Sequence, residues 1–230
     1  MEQGHVNAGF DQWVVFEKAR AANRMHHREA YDTIARAFAG FENPPRILDL
    51  GCGDGRDIAN IIKRNPAAEY VGIDNSIEAL DQARTNLAEL ECPGRLLYAD
   101  YTEAFKLDSA SFDIILLGLF LHHLPEEEKR DFFQQAARLL SPQGLVLAHD
   151  PVLLETEERE EFLERIARAC QGWPELNAPE KEVLARHWSR HGRQERISRL
   201  QEMAGRAGLS RTTILWRDPE RFYVVMAFQR

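Results

Sequence analysis

The 230-residue sequence is poor in cysteine: Cys52, Cys92 and Cys170 are its three, and no C-x-x-C pair joins them. An odd number at these spacings supports neither a disulfide framework nor a thiolate zinc site, and a reducing cytoplasm is the compartment that fits. No run of about 18 apolar residues occurs, so a membrane-spanning helix is not expected. The segment from Met1 to Asp11 has no basic start followed by an apolar stretch, so a secretory leader is not expected either. An excess of positive charge is also missing. Lys and Arg total 29 against 37 Asp and Glu, a net charge of −8, which is the wrong sign for neutralising phosphates. Nucleic acid is therefore not the expected partner. Arginines cluster between Arg186 and Arg211, but Glu195 and Glu202 interrupt them, as on a solvated helix face. There are no internal repeats or low-complexity tracts.

What is present reads as one ordinary globular domain, with 44% hydrophobic and 29% charged residues. Trp13, Val14, Phe16 and Ala19, then Ala30, Ile34, Ala37 and Phe38, recur at helical spacings on either side of polar Asn23 to Arg28, so two helices with a break are expected. Asn43-Pro44-Pro45 ends helical structure because the residue before proline is pushed out of the α region. Strands are expected at Arg46–Leu50, Tyr70–Ile73, Arg95–Ala99, Phe112–Leu117 and Leu145–Ala148. Helices separate them: one around Ile58, Ile61 and Ile62, one at Ile77–Leu90 capped by Ser76, and one starting at Pro125 with Phe132, Phe133 and Leu139 inward. The strand at Leu145 is preceded by a turn at Ser141-Pro142-Gln143-Gly144. Such alternation implies a doubly wound parallel sheet. Val152 to Gly192 is longer than a crossover requires and helical in pattern, and a helix follows at about Arg193–Ala207. Thr212–Trp216 and Tyr223–Phe228 are too close for a crossover and should pair antiparallel. The expected fold class is thus α/β: a doubly wound seven-stranded sheet, mostly parallel with an antiparallel C-terminal hairpin, plus N-terminal helices and a helical cap.

The most informative stretch is Ile47-Leu48-Asp49-Leu50-Gly51-Cys52-Gly53-Asp54-Gly55. Glycines between a strand and a helix let a ligand approach the backbone, and the helix start offers free N–H groups. A nicotinamide fingerprint would need glycine or alanine at position 56, where Arg56 stands. An acidic residue just before G-x-G-x-G resembles instead the cofactor loop of class I, seven-stranded S-adenosylmethionine-dependent methyltransferases. Further matches follow. Asp74 lies 21 residues beyond Gly53, at a strand end where an acid can accept both ribose hydroxyls. Asp100 with Tyr101 resembles the position that binds the adenine amino group, and Asp113 through Leu124 resembles the fourth-strand signature. The resemblance implies S-adenosylmethionine as cofactor and S-adenosylhomocysteine as product, with Asp49, Gly51, Cys52, Gly53, Asp74, Asn75, Asp100, Tyr101 and Leu117 around it. It also implies one methyltransferase domain over 1–230: an N-terminal helical lid (1–45), a cofactor-binding core (46–151), a cap insertion (152–192), and a C-terminal helix and strand pair (193–230).

Ligands of open α/β sheets bind beyond the carboxyl ends of the strands, which makes Leu119, Phe120, His122 and His123, then His149, Asp150 and Pro151, the first places to seek the methyl acceptor. His149 is the candidate base, because imidazole titrates near neutrality. Tyr31 is a second catalytic candidate and shares a helix face with His27. In the cap, Leu184, His187, Trp188 and His191 fall at i, i+3, i+4 and i+7, so His187, Trp188 and His191, together with His122, are expected around the acceptor. No metal is expected: adjacent His122 and His123 point about 100° apart if helical and do not make a metal pair by themselves. The acidic balance and the cap favour a small-molecule acceptor, with the protein acting as a monomer or homodimer. Two alternatives share the architecture: a cofactor-binding module without catalysis, and an NAD-dependent oxidoreductase. An amino-methyltransferase of nucleic acids would carry an N/D-P-P-Y/F/W box after the fourth strand. Asn43-Pro44-Pro45-Arg46 lies before the first strand and lacks the aromatic.

Overall fold

A computed structural model describes residues 14–107 and 111–230; the expectation for Trp13 lies outside the described residues. The chain opens with helix α1 (14–21), then α2 (His27–Phe38), β1 (Arg46–Leu50), α3 (Arg56–Arg64), β2 (Glu69–Asp74), α4 (Ile77–Leu87), β3 (Gly94–Tyr98) and β4 (Phe112–Gly118). It continues with α5 (Glu126–Leu139), β5 (Leu140–Leu153), α6 (Arg159–Gln171), α7 (Ala178–His191), β6 (Glu195–Arg196), α8 (Ile197–Arg206), β7 (Arg211–Arg217) and β8 (Tyr223–Gln229). The main sheet runs β3-β2-β1-β4-β5-β8-β7. Its first five strands are parallel, and β8 is antiparallel to both β5 and β7. This is the expected fold class, with the order reversing between β1 and β4, where doubly wound sheets bind ligands.

Three elements differ from the sequence reading by more than one residue at an end. Strand β5 runs from Leu140 to Leu153 and takes in the Ser141–Gly144 turn as a break in register, since Phe112 pairs with Leu140 and Ile114 with Leu145. The helix expected from Arg193 starts at Ile197, because Glu195 and Arg196 pair with Val152 and Leu153 as the short β6. Helix α4 ends at Leu87 rather than Leu90. Its Ser76 cap is as expected, the side-chain oxygen accepting from the Ala79 N–H.

Alternation along the central strands divides the apolar residues between two faces. One core joins Leu117, Ala148, Phe132, Phe133, Leu200 and Met203 beneath α5 and α8. The opposite core joins Ile34, Phe38, Ile61, Leu116 and Leu147 beneath α2 and α3. Truncating a fully buried ring such as Phe133 to alanine typically costs about 3–5 kcal/mol. A third core packs Val15 and Ala19 of α1 against Phe162, Ile166, Leu184 and Trp188 of α6 and α7, with Phe222 and Tyr223. Helix α1 and the α6–α7 pair therefore share one packed core. Capping boxes start both cap helices, Glu158 with Glu161 and Asn177 with Glu180. Among the described residues no helix is long and apolar enough to cross a membrane.

Candidate active site

The turn after β1 takes its shape from three glycines with φ of +70°, +54° and +64° at Gly51, Gly53 and Gly55, a conformation that costs other residues a Cβ clash. The Gly51 and Cys52 N–H groups both donate to the Ile73 carbonyl, holding the turn on the end of β2. No atom lies within 4 Å of the place a Cβ would occupy on Gly53, so backbone is presented to open space. The Gly53 N–H donates to Asp74 Oδ2 at 2.8 Å, while Asp74 Oδ1 accepts from the Ser76 N–H at 2.9 Å. Beneath the turn, buried Asp49 accepts from the Tyr70 hydroxyl at 3.0 Å. Burial pushes its carboxyl up to about 7, a shift the Tyr70 hydrogen bond opposes and nearby Asp74 adds to.

Helix α1 closes one side of this turn. Arg20 donates to Asp54 at 3.0 Å and Asp57 at 2.8 Å, and also to Glu17. Burial works against its charge, but Asp57 and Asp54 outweigh that and keep the guanidinium protonated. The remaining walls enclose a cavity of about 380 Å³, bounded by Gly51–Asp54 on the sheet side, by Phe16, Arg20, His27 and Tyr31 from the N-terminal helices, by Leu119, His122 and His123 after β4, and by His187 and Trp188 from α7. Leu119 sits at φ +55°, a left-handed conformation unusual for a branched side chain and of the kind found where function fixes the backbone. Tyr31 reaches across to Gly118, where an added Cβ would fall 2.4 Å from the phenol oxygen.

Of the acceptor-side residues expected from sequence, Tyr31, His122, His187 and Trp188 line the cavity, joined by His27 and His123. His149 does not. Alternation puts it on the α2 face of β5 with Leu147, where it is fully buried behind His27, Tyr31 and Tyr223, at ring separations of 5.5, 6.3 and 5.8 Å. Neither of its nitrogens has a hydrogen-bond partner of good geometry among the described residues, and burial holds the ring well below the usual imidazole range. His27 stands in front of it, pushed down to about 4 by burial, so the imidazole nearer the cavity is His27. His191 packs against His187, ring centroids 5.2 Å apart, behind the wall rather than on it.

On the cofactor side, Gly51, Cys52 and Gly53 form the cavity wall. Leu117 does not, because its side chain projects into the α5–α8 core; the next two residues, Gly118 and Leu119, are the ones exposed to the cavity. Asp74, Asn75, Asp100 and Tyr101 follow β2 and β3 along an open shelf of the same sheet edge, with Asn75 and Asp100 exposed. Phe120 lies between the turn and this shelf, 2.8 Å from where a Gly51 Cβ would be and 5.2 Å from the Tyr101 ring. Asp100 Oδ1 accepts from both the backbone and the hydroxyl of Thr102, which caps the short turn that follows. Asp113 lies at the other end of β4, where it accepts from the Arg46 N–H and the Ser141 hydroxyl, a structural role.

Sequence reasoning missed the Arg20–Asp54–Asp57 clamp and the pairing of His122 with Asp150. His122 Nδ1 lies 2.9 Å from Asp150 Oδ1 with both residues buried. It also missed the third imidazole that α7 brings to His122 and His123. The histidine content of the cap stripe was the available signal, but its neighbours are set by tertiary packing.

Residues 47–144 match the family model of the methyltransferase domain. That segment runs from β1 into β5 and holds the glycine turn, so the middle of the chain is similar to methyltransferase domains in sequence as well as in sheet order. Among curated relatives, the chain is 36% identical over 77 residues to a trans-aconitate 2-methyltransferase of Rhodopseudomonas palustris, covering 34% of this chain and 27% of that protein. It is 33% identical over 116 residues to a ubiquinone biosynthesis O-methyltransferase of Alkalilimnicola ehrlichii, covering 50% and 45%. The matches span about half or less of those relatives' lengths. Among solved structures, the plantazolicin methyltransferase BpumL in complex with SAH superposes with a TM-score of 0.67 at 16% identity, over 93% of this chain and 88% of that one. The mycolic acid cyclopropane synthase CmaA1, complexed with SAH and CTAB, gives 0.56 at 23% identity, over 79% and 61%. At these identities the likeness is one of fold.

Proposed function

We propose that the protein transfers a methyl group from S-adenosylmethionine to a small-molecule acceptor enclosed in the cavity. The observation that carries this reading is the cradle itself: open backbone at Gly53 beside Asp74, with Asp100 further along the same sheet edge and a roofed cavity on the other side of the turn. The cofactor would supply a methyl group already activated on a sulfonium. Asp74 and Asp100 each keep accepting capacity beyond their present bonds, suited to ribose hydroxyls and an amino group. Arg20 brings a fixed positive charge to the cavity wall beside the turn, where a carboxylate can be received. The α1 and α7 walls would shield the reactants from part of the solvent, and alignment of two bound reactants can contribute about 7–11 kcal/mol in favourable cases. His27 faces the cavity as the candidate proton acceptor, while burial keeps the Tyr31 phenol protonated, which suits it to orienting the acceptor by a hydrogen bond; His149 would act through them, as a buried support. The roof and the net charge of −8 support a small acceptor over nucleic acid.

The test is calorimetric titration of the purified chain with S-adenosylmethionine and S-adenosylhomocysteine, with Asp74→Ala alongside. Saturable binding, weakened tenfold or more by the substitution, is the expected result. A folded wild-type protein that binds neither would overturn the proposal.

A further inference from the structure

We propose that His122, His123 and His187 bind one divalent transition-metal ion of the zinc class, with an open coordination position toward the cavity that takes a heteroatom of the acceptor. The acceptor's part in this statement rests on the methyl-transfer reading above; the metal site does not.

One ligand nitrogen from each of the three rings lies within 4.8 Å of the other two, and all three residues line the cavity. Zinc–imidazole bonds of about 2.0–2.1 Å set donors roughly 3.3 Å apart in a tetrahedral site, so small ring rotations bring the set to bonding geometry. The orienting partners are already in place. Asp150, itself buried, sits against His122 Nδ1 at 2.9 Å, which leaves Nε2 as the lone-pair donor, and the His191 backbone lies within hydrogen-bonding reach of the His123 ring. Carboxylates and carbonyls in this position fix the tautomer of metal-bound histidines.

The two segments that supply the ligands are also tied to each other. The Arg193 N–H, just past α7, donates to the His122 carbonyl at 2.5 Å. Buried Lys129 bonds the Leu124 and Arg193 carbonyls at 2.6 Å each. The turn after β4 and the end of α7 are thus held in register before any ion arrives. Three neutral imidazoles without a carboxylate in the inner shell suit zinc or cobalt rather than magnesium or calcium. Three protein ligands with a fourth side open to a cavity is the arrangement of catalytic rather than structural zinc. An ion there would lower the proton affinity of a bound hydroxyl or thiol.

The experiment uses the full chain without a histidine tag, stripped with chelator and titrated with zinc in a calorimeter and with cobalt(II) in the visible spectrum. One equivalent of each is expected, with an intense four-coordinate cobalt band that zinc abolishes and added azide shifts. His187→Gln and His123→Gln should weaken binding at least 100-fold, and Asp150→Asn about 10- to 100-fold. Thermal midpoints check folding. If His123→Gln unfolds, half-buried His187 on the surface of α7 still provides the test. Absence of saturable binding, or binding unchanged in His187→Gln, overturns the site, and a cobalt band insensitive to azide overturns its open position. S-adenosylhomocysteine titrated into the same samples separates the two proposals. Cofactor binding without metal binding overturns only the metal site, and the reverse overturns only the methyl-transfer reading.

Discussion

Replacing Gly118 with alanine should leave the fold nearly as stable as before and yet weaken cofactor binding, through Tyr31. The new Cβ would fall 2.4 Å from the Tyr31 phenol oxygen and 3.6 Å from its Cζ. Carbon and oxygen need about 3.4 Å or more, so the phenol must move by about 1 Å, and the space open to it is the cavity. Displacing a side chain from its rotamer costs about 0.5–1.5 kcal/mol. Alanine in place of glycine returns about 0.4–1 kcal/mol by restricting the unfolded chain, so the unfolding free energy should change by less than about 1 kcal/mol. The displaced ring intrudes where Gly51 to Gly53 face the cavity, and S-adenosylhomocysteine affinity should fall about tenfold, or 1.4 kcal/mol. Tyr31→Phe removes the clashing atom and leaves only the ordinary 3.6 Å contact. In the double variant the affinity should therefore return to that of Tyr31→Phe alone. Urea unfolding and calorimetry on the four proteins complete the cycle. If Gly118→Ala weakens binding equally in both backgrounds, additive within about 0.5 kcal/mol, Tyr31 does not transmit the effect and the reasoning is refuted.

Asp49, held up to about 7 by burial, binds more protons in the folded than in the unfolded chain between pH 4 and 7. Its contribution to stability is therefore greatest at acid pH and declines by roughly 1 kcal/mol per unit up to pH 7; urea midpoints should lose this slope in Asp49→Asn. Arg20→Met leaves Asp54 buried with its Arg20 partner gone and should cost about 2–3 kcal/mol, an effect that vanishes if α1 is not docked through this clamp. Lys129→Met keeps the volume but strips two carbonyls of their donor, for a loss of about 2–4 kcal/mol in denaturant unfolding; a neutral substitution would show that solvent replaces the ammonium.

The glycine turn after β1 could be read from sequence because its determinants are local. A buried strand, three glycines and a helix start are contiguous, and Asp74 and Asp100 are fixed by the ends of β2 and β3. Both also cap the turns they precede, and the ligand role proposed for them is compatible with that capping because each carboxylate has further lone pairs. Strand β6 could not be read, since two residues carry no periodicity and form a strand only because Val152 and Leu153 are alongside. Position after the expected strand Leu145–Ala148 nominated His149, which lies within the longer β5, and which face an alternating strand turns toward solvent depends on what packs against it. Here α2 covers that face and puts His27 in front. Arg20 looked like any helix-surface arginine until α1 met α3. The stripe of Leu184, His187, Trp188 and His191 was legible, and the fold divides it: Leu184 and Trp188 into the third core, His187 toward His123 at 5.5 Å.

That third core bears on turnover. Because Val15 and Ala19 interlock with Leu184 and Trp188, α1 cannot swing away alone without exposing apolar surface of the cap, and Arg20 must release Asp54 and Asp57 in the same event. On the proposed function, admission and discharge would pass through one concerted opening whose barrier is the partial melting of a packed interface. Such an opening is slow relative to the motion of a free loop. Exchange of spent cofactor would then be the slow stage of the cycle, and mutations that loosen the Trp173–Trp188 contact would hasten it.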